Sequence, residues 1–164
     1  MARDVMRTKF NVDKRPKDRT FDGIEFDSAM EMKYYRDIIL PQVRSGQIQT
    51  FERQKRYELQ PEFIHDGIKV RPIYYICDFF IQYTDGREEV IDIKGFADQK
   101  AIIKRKLFWY HFPDFNYHWL TYSKVDGGWV EHEIVKKNRK IRAEQRKRRK
   151  SMKEEEEKLN GEEN

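Results

Sequence analysis

Two aspartates and a lysine, each set among apolar residues, are the side chains best suited to chemistry. Asp92 and Lys94 lie in the segment 90–94, where the alternation of side chains along a strand puts both on one face. Asp78 lies in a second apolar segment, 76–80, where an unpaired charge would be costly. These charges either bind a ligand or are paired locally, Asp92 with Lys94 at the surface and Asp78 with a neighbouring backbone amide.

The turn between the two segments decides whether the aspartates meet. A two-residue turn would set Asp78 opposite Ile93, whereas a three-residue turn over 84–86 would set it opposite Asp92. The three-residue form needs a left-handed residue at its end, and Gly86 stands at that position. We therefore predict the three-residue turn, which brings the two carboxylates together on one face, with Cβ atoms roughly 5 Å apart.

A pair of adjacent carboxylates favours a bound cation, because like charges repel unless a cation lies between them. Mg²⁺, or Mn²⁺ in its place, suits such a site because it takes few protein ligands and keeps several waters. Such an ion polarises a phosphodiester and lowers the pKa of a bound water. Lys94, beside the ion, would stabilise developing negative charge or help to activate that water.

Glu31 is a candidate third carboxylate, on the first predicted helix. Its spacing from Ser28 also fits a capping box, in which its side chain would bond back to the backbone of Ser28. Spacing alone leaves both interpretations of Glu31 open.

The remaining pattern predicts an α/β fold with a mixed β-sheet flanked by helices and a charged C-terminal helical tail. In the helix near 98–112, we expect Ile103, Leu107 and Tyr110 to pack into the core. The predicted elements are a helix that begins after Ser28 and ends at Pro41, extended segments at about 47–63, 70–83 and 88–94, the helix near 98–112, strands at 116–123 and 128–134, and an exposed helix from 136 that frays at 154–157.

Charge is distributed unevenly along the 164 residues. Residues 1–20 carry a net charge of +4, residues 21–135 carry −4, and residues 136–164 carry +5. We predict a flexible basic arm at 1–20, one core domain at 21–135 and a charged helical or disordered tail at 136–164. Two basic terminal segments around an acidic core are typical of a protein that binds a polyanion through those segments. Terminal segments that only increase solubility would have the same composition.

Several classes of protein are excluded by composition. A single cysteine, Cys77, excludes an internal disulfide and a cysteine-based zinc site, and the four histidines lack zinc spacing. No serine elbow or glycine-rich phosphate loop is present. With no apolar run of membrane length and no signal peptide at the start, we expect no membrane partner and a cytoplasmic location.

The order of these residues resembles the PD-(D/E)XK nuclease superfamily over about residues 24–122. The segments 71–79 and 90–95 carry the resemblance. They are similar to small phage-encoded members of uncharacterised function, to transposon-end endonucleases and to archaeal-type Holliday junction resolvases. One departure is Cys77, which stands where the family name has a proline.

This resemblance implies a restriction-endonuclease-like core and a set of roles in the site. Asp78, Asp92 and the Ile93 carbonyl would be metal ligands, and Glu31 would be the helix carboxylate, directly or through water. Lys94 would be the catalytic lysine.

We therefore expect a Mg²⁺- or Mn²⁺-dependent DNA endonuclease, structure-selective on branched recombination or replication DNA and acting in the cytoplasm, or the host cytoplasm if phage-encoded. The alternatives are a noncatalytic nucleic-acid-binding module with the same fold and an RNA-directed nuclease. A homodimer would bring two sites to two strands, and nothing in the sequence decides whether it forms. The residues expected to contact DNA, for each of which a solvated helix face is the alternative, are Lys100, Lys104, Lys106, Arg146, Lys147 and Arg148.

Overall fold

The structure, a computed structural model, describes residues 15–162. The chain divides into a first unit that ends at Leu120 and a second that begins at Thr121, so the predicted boundary at 135 lies inside the second unit. Residues 1–14 of the predicted arm lie outside the described residues. The remainder of that arm forms a 3-10 turn, Pro16–Asp18, and enters the short strand β1, Thr20–Phe21, which pairs with β2, Ile24–Glu25.

The first helical region begins as predicted but does not end at Pro41. Helix α1 spans Ala29–Tyr34 and is capped by Ser28, whose hydroxyl accepts from the backbone N–H of Glu31. A π-helical segment, Tyr35–Ile39, joins it to α2, Leu40–Arg44. Pro41 falls in the first turn of α2, where a missing N–H is tolerated, so the chain continues as a helix.

The first unit is built on a mixed sheet. Its strands follow the order β10-β9-β8-β3, in which β10 is parallel to β9 and the other pairs are antiparallel. Two further ribbons, β4 with β7 and β5 with β6, are separate two-stranded sheets. The strands and the helix between them are β3 (Ile48–Arg53), β4 (Arg56–Gln60), β5 (Phe63–His65), β6 (Ile68–Val70), β7 (Ile73–Ile76), β8 (Phe79–Tyr83), β9 (Glu88–Ile93), α3 (Gln99–His111) and β10 (Asn116–Ser123).

Two of the predicted extended segments are each broken into several strands. The segment 47–63 breaks after β3 at Gln54, whose φ of 55° lies in the left-handed region. The segment 70–83 breaks between β7 and β8, so Asp78 lies in a bend and not inside a strand as the sequence suggested. The two breaks face each other: the Gln54 N–H donates to the Asp78 carbonyl at 3.2 Å, and the Cys77 N–H donates to the Lys55 carbonyl at 3.1 Å.

The core beneath α3 is largely aromatic. Phe108 is fully buried, and its ring lies 5.1 Å from Tyr57 and 5.0 Å from Tyr75, centroid to centroid. The prediction that Ile103, Leu107 and Tyr110 pack into the core is wrong for two of the three, because Ile103 is 57% exposed and Tyr110 is 80% exposed. Apolar residues occur on every side of α3, so their spacing favours no single inward face.

The second unit contains the end of β10, the strand β11 (Gly128–Glu131) and the helix α4 (His132–Glu162). The predicted strand at 128–134 is shorter because α4 begins at His132, four residues before the expected start. The helix also continues through 154–157, where fraying was expected. Near its start, Arg142 donates to both oxygens of Asp126, at 2.7 and 3.0 Å.

The fold is therefore the predicted α/β class, with a mixed sheet and a C-terminal helix. Among residues 15–162, no helix combines the length and apolar character needed to cross a membrane.

Replacement of the buried aromatic residue of α3 tests this packing. We expect Phe108→Ala to lower the free energy of unfolding by about 3–5 kcal/mol, because it removes the side chain at the centre of the aromatic core. The control Ile103→Ala, on an exposed side of the same helix, should cost less than about 1 kcal/mol. Urea denaturation of both variants measures the difference, and equal costs would contradict the observed orientation of α3.

Candidate functional site

The register of β8 and β9 brings the two predicted aspartates together. The last residue pair of the two strands is Phe79 with Ile91, and the N–H of Asp78, just before β8, donates to the Ile91 carbonyl at 3.1 Å. Asp78 and Asp92 therefore lie at the same end of the hairpin, close enough for the charge of Asp92 to raise the pKa of Asp78. At the other end of the hairpin, the Tyr83 N–H donates to the Arg87 carbonyl at 2.9 Å. The three-residue turn is thus confirmed, with its closing glycine at a φ of 88°.

Asp92 is buried, with 1% of its surface exposed, and has a partner on each oxygen. The ammonium of Lys94 lies 2.7 Å from Oδ1, and the hydroxyl of Tyr75 donates to Oδ2 at 2.5 Å. The Tyr75 hydroxyl is also 2.8 Å from that of Tyr117 on β10. Burial, reinforced by the charge of Asp92, raises the pKa of Tyr75 far above its usual value, so the phenol stays protonated and can donate.

The half-buried Asp78 caps a backbone amide. Its Oδ2 accepts from the Ile93 N–H at 2.6 Å, and its other oxygen has no hydrogen bond from the described residues. Burial raises the pKa of Asp78 well above its usual value, and the charges of Asp92 and Glu31 raise it further. The local-pairing interpretation therefore holds for one oxygen of Asp78, while the other remains available to a ligand.

Glu31 caps its own helix, but through the Ser28 hydroxyl and the Asp27 backbone N–H and not through the Ser28 backbone as predicted. The Ser28 hydroxyl donates to Oε1 at 2.7 Å, and the Asp27 N–H donates to Oε2 at 3.3 Å. Burial raises the pKa of Glu31, the Ser28 hydrogen bond opposes that rise, and the charges of Asp27 and Asp92 add to it. Glu31 thus lies within electrostatic reach of the aspartates while both of its oxygens are engaged, and its role as a metal ligand stays a prediction.

Lys94 directly follows β9 and is largely buried, with 24% of its side chain exposed. Burial alone would lower the pKa of Lys94, but the negative charges of Asp92, Asp78 and Glu31 outweigh it and hold the pKa above its usual value. Lys94 is therefore an ammonium that forms an ion pair with Asp92, whose buried Oδ1 has no hydrogen bond of regular geometry among the described residues. Its backbone N–H also donates to the Leu120 carbonyl at 2.8 Å, which ties the end of β9 to β10.

The oxygen atoms of the site can be compared with the ligands that a divalent metal ion needs. Among residues 15–162, no three side chains of the His, Cys, Asp and Glu types are grouped so that they could hold a metal ion. Two adjacent carboxylates and a nearby carbonyl, that of Ile93, nevertheless match the few oxygen ligands that Mg²⁺ takes from a protein. Binding at Oδ1 of Asp92 would require the ammonium of Lys94 to move from its 2.7 Å contact.

The predicted DNA-contacting residues are not all brought together. Lys100 and Lys104 on α3 line one groove with residues of β7. Lys106 is exposed on α3 but does not line that groove. The other three are exposed on α4 in the second unit: Arg146, Lys147 and Arg148.

The hydroxyls of Tyr75 and Tyr117 are the site groups that sequence reasoning missed. In one continuous strand, Tyr75 and Asp78 would point to opposite faces, because they are three residues apart. The bend at 77–78 removes that constraint, and no local signal in the sequence marks it. Tyr117 depends on the parallel pairing of β10 with β9, which sets Tyr117 beside Val90 and Trp119 beside Asp92.

One buried and one half-buried carboxylate with an adjacent ammonium, on the hairpin of a mixed α/β unit, thus define the site. The chain belongs to the family described as "Protein of unknown function (DUF1064)", whose model matches residues 7–126. The matched range contains all the residues of the candidate site in the first unit. No curated protein matches the chain.

Removal of the tyrosine hydroxyl tests how the Asp92 charge is stabilised. We expect Tyr75→Phe to lower the free energy of unfolding by about 2 kcal/mol, because it leaves a buried carboxylate oxygen without its donor. Tyr117→Phe, whose hydroxyl contacts Tyr75 and not the carboxylate, should cost about 1 kcal/mol or less. Chemical denaturation at neutral pH measures both, and a Tyr75→Phe midpoint equal to the wild-type value would contradict this description.

Proposed function

We propose that this chain is a divalent-metal-dependent DNA endonuclease that hydrolyses phosphodiester bonds. The observation that carries the proposal is the adjacency of Asp78 and Asp92 across the β8–β9 hairpin, with the Lys94 ammonium 2.7 Å from Asp92. Purely structural needs do not explain three ionisable groups at one end of a hairpin, because burying them is costly.

Each of these residues has a proposed role. Asp78, Asp92 and the carbonyl of Ile93 would hold Mg²⁺ or Mn²⁺, and Glu31 would act through a water because Ser28 and Asp27 already engage its oxygens. When bound, the ion supplies Lewis acidity and a water of lowered pKa.

Lys94 would position or deprotonate the attacking water, or stabilise the charge that develops on the phosphate. The charged state that its neighbours favour suits positioning and charge stabilisation best, since an ammonium donates hydrogen bonds and cannot accept a proton.

The proposed substrate is branched DNA from recombination or replication, and the proposed place of action is the cytoplasm, or the host cytoplasm if the chain is phage-encoded. Basic residues on α3 and α4 would contact the phosphates, with an affinity that falls steeply as salt rises. A homodimer would allow two strands to be cut together.

A noncatalytic nucleic-acid-binding module is the second candidate. One observation favours it: each aspartate already has a protein donor, Asp78 in the Ile93 N–H and Asp92 in Lys94 and Tyr75. An RNA-directed nuclease would use the same groups, and only a comparison of matched RNA and DNA substrates separates it from the main proposal.

Substitution of one aspartate tests the catalytic proposal. We expect Asp92→Asn to lower Mg²⁺- or Mn²⁺-dependent cleavage at least about a hundredfold while DNA affinity stays unchanged, because the variant loses a ligand oxygen charge but no phosphate contact. The matched control is Asp66→Asn, an exposed turn residue at a φ of 48°, a conformation that asparagine tolerates.

The substrates are single-stranded, duplex, flap and four-way DNA, with RNA strands of the same sequence alongside. Wild-type protein that binds these DNAs but cuts none of them with either metal would establish the noncatalytic alternative. Faster cleavage of the matched RNA would instead establish the RNA-directed one.

A further inference from the structure

An open groove of about 480 Å³ lies between β7 and α3 in the first unit. Its two walls are apolar, with Ile73 and Ile76 on β7 and Ile103 and Leu107 on α3. Ile76 is 49% exposed and Ile103 is 57% exposed. Large aliphatic side chains that converge on one concave surface and stay exposed indicate a binding site.

Positive charge surrounds these apolar walls. Arg56, Lys100 and Lys104 line the same groove, and none of the described residues that line it is acidic. Helix α3 has four lysines and arginines and no carboxylate along its length. The occupant that complements this charge is an anion with an apolar part.

The groove also contains a flat polar surface. The guanidinium carbon of Arg56 lies 3.4 Å from the centre of the Tyr74 ring, so the two groups are stacked. A guanidinium plane supported by an aromatic ring is one of the surfaces on which unstacked nucleobases stack.

Strand β7 connects the groove to the carboxylate site. Tyr74 and Ile76 line the groove, while Tyr75 between them donates to Asp92. Tyr74 and Ile76 alternate with Tyr75 along the strand, and Ile73, at its first position, also lines the groove, so the groove and the carboxylate site share strand β7.

We propose that this groove binds an unpaired base of a DNA strand, an inference that rests on the proposed function in taking DNA as the ligand. The base would lie against Ile76 and Ile103 and stack on Arg56, while Lys100 and Lys104 would contact the flanking phosphates. A nucleotide joins a flat base, whose faces can pack on apolar walls and on the Arg56 guanidinium, directly to an anionic phosphate. Acidic side chains alone would leave the apolar walls without a partner. Bases inside a duplex are stacked on each other, so the groove selects single strands and branched or bulged DNA.

Binding assays on the full chain in EDTA test this proposal separately from cleavage. The probes are one labelled sequence as a single strand, as a perfect duplex and as a duplex with one unpaired 2-aminopurine. We expect wild type to prefer both probes that contain unpaired bases, and Ile103→Glu to weaken its binding to them about tenfold or more relative to the duplex. The matched control is Ile64→Glu on β5, which introduces the same charge at a position that is 73% exposed and outside the groove.

Two further variants keep the test decisive. Ile76→Glu changes the opposite wall and should give the same loss as Ile103→Glu, which covers the case of one variant that folds poorly. Lys104→Gln should weaken binding to all three probes and lower the slope of log affinity against log salt by about 1, as expected for a lost phosphate contact.

Equal affinity of wild type for duplex and unpaired probes, or equal binding by Ile103→Glu and Ile64→Glu, would overturn the proposal. The proposal would also be overturned if an acidic peptide displaced the DNA from the wild-type protein but did not displace it from Ile103→Glu. Cleavage with Mg²⁺ and with Mn²⁺, measured in parallel, separates the two proposals. If the protein prefers unpaired bases but cleaves nothing, the nuclease proposal is wrong and the proposal for the groove stands. If it cleaves DNA without that preference, the proposal for the groove is wrong and the nuclease proposal stands.

Discussion

The buried charge of Asp92 is the constraint on which the rest of the site depends. A carboxylate that is 1% exposed is tolerable only with close partners, and it has one on each oxygen, Lys94 and Tyr75. These partners come from different parts of the first unit, since Lys94 follows β9 and Tyr75 lies on β7. The Asp92 charge thereby adds a side-chain link between the β4–β7 ribbon and the main sheet, beside the backbone bonds at the two breaks.

The same contacts hold the proposed ligands in place before any ion arrives. The Ile93 N–H orients Asp78, and the Tyr75 hydroxyl orients Asp92, so each carboxylate keeps one oxygen fixed by the protein. Such supporting hydrogen bonds are typical of metal-binding carboxylates. In the proposed site, only the contact between Lys94 and Asp92 would need to be exchanged.

The parts of this structure that were predicted correctly depend on local chemistry. The turn that closes at Gly86 fixes the register of the hairpin as far as the pair Phe79–Ile91, which brings Asp78 and Asp92 to the same end of the hairpin. The bend at 77–78 depends on bonds to the distant residues 54 and 55, which no local pattern contains. The contribution of Tyr75 to the site was missed for that reason.

The orientation of α3 illustrates a second limit. Its apolar residues surround the helix, and periodicity cannot decide which of them faces inward when several faces are equally apolar. Packing decides in favour of Phe108, and two of the residues expected in the core lie outside it, since Ile103 lines the groove and Tyr110 is exposed. Ile103, which was wrongly expected in the core, therefore forms part of an exposed apolar surface.

The π-helical segment has a consequence for the placement of the first helix. A π turn contains one more residue than an α turn, and the backbone N–H of Leu40 reaches back to the carbonyl of Tyr35 accordingly. The neighbouring rings of Tyr34 and Tyr35 are both buried, the first 5.7 Å from Phe79 of β8 and the second 5.7 Å from Phe51 of β3, centroid to centroid. Two successive aromatic rings thus pack the helical region against two different strands, β8 and β3.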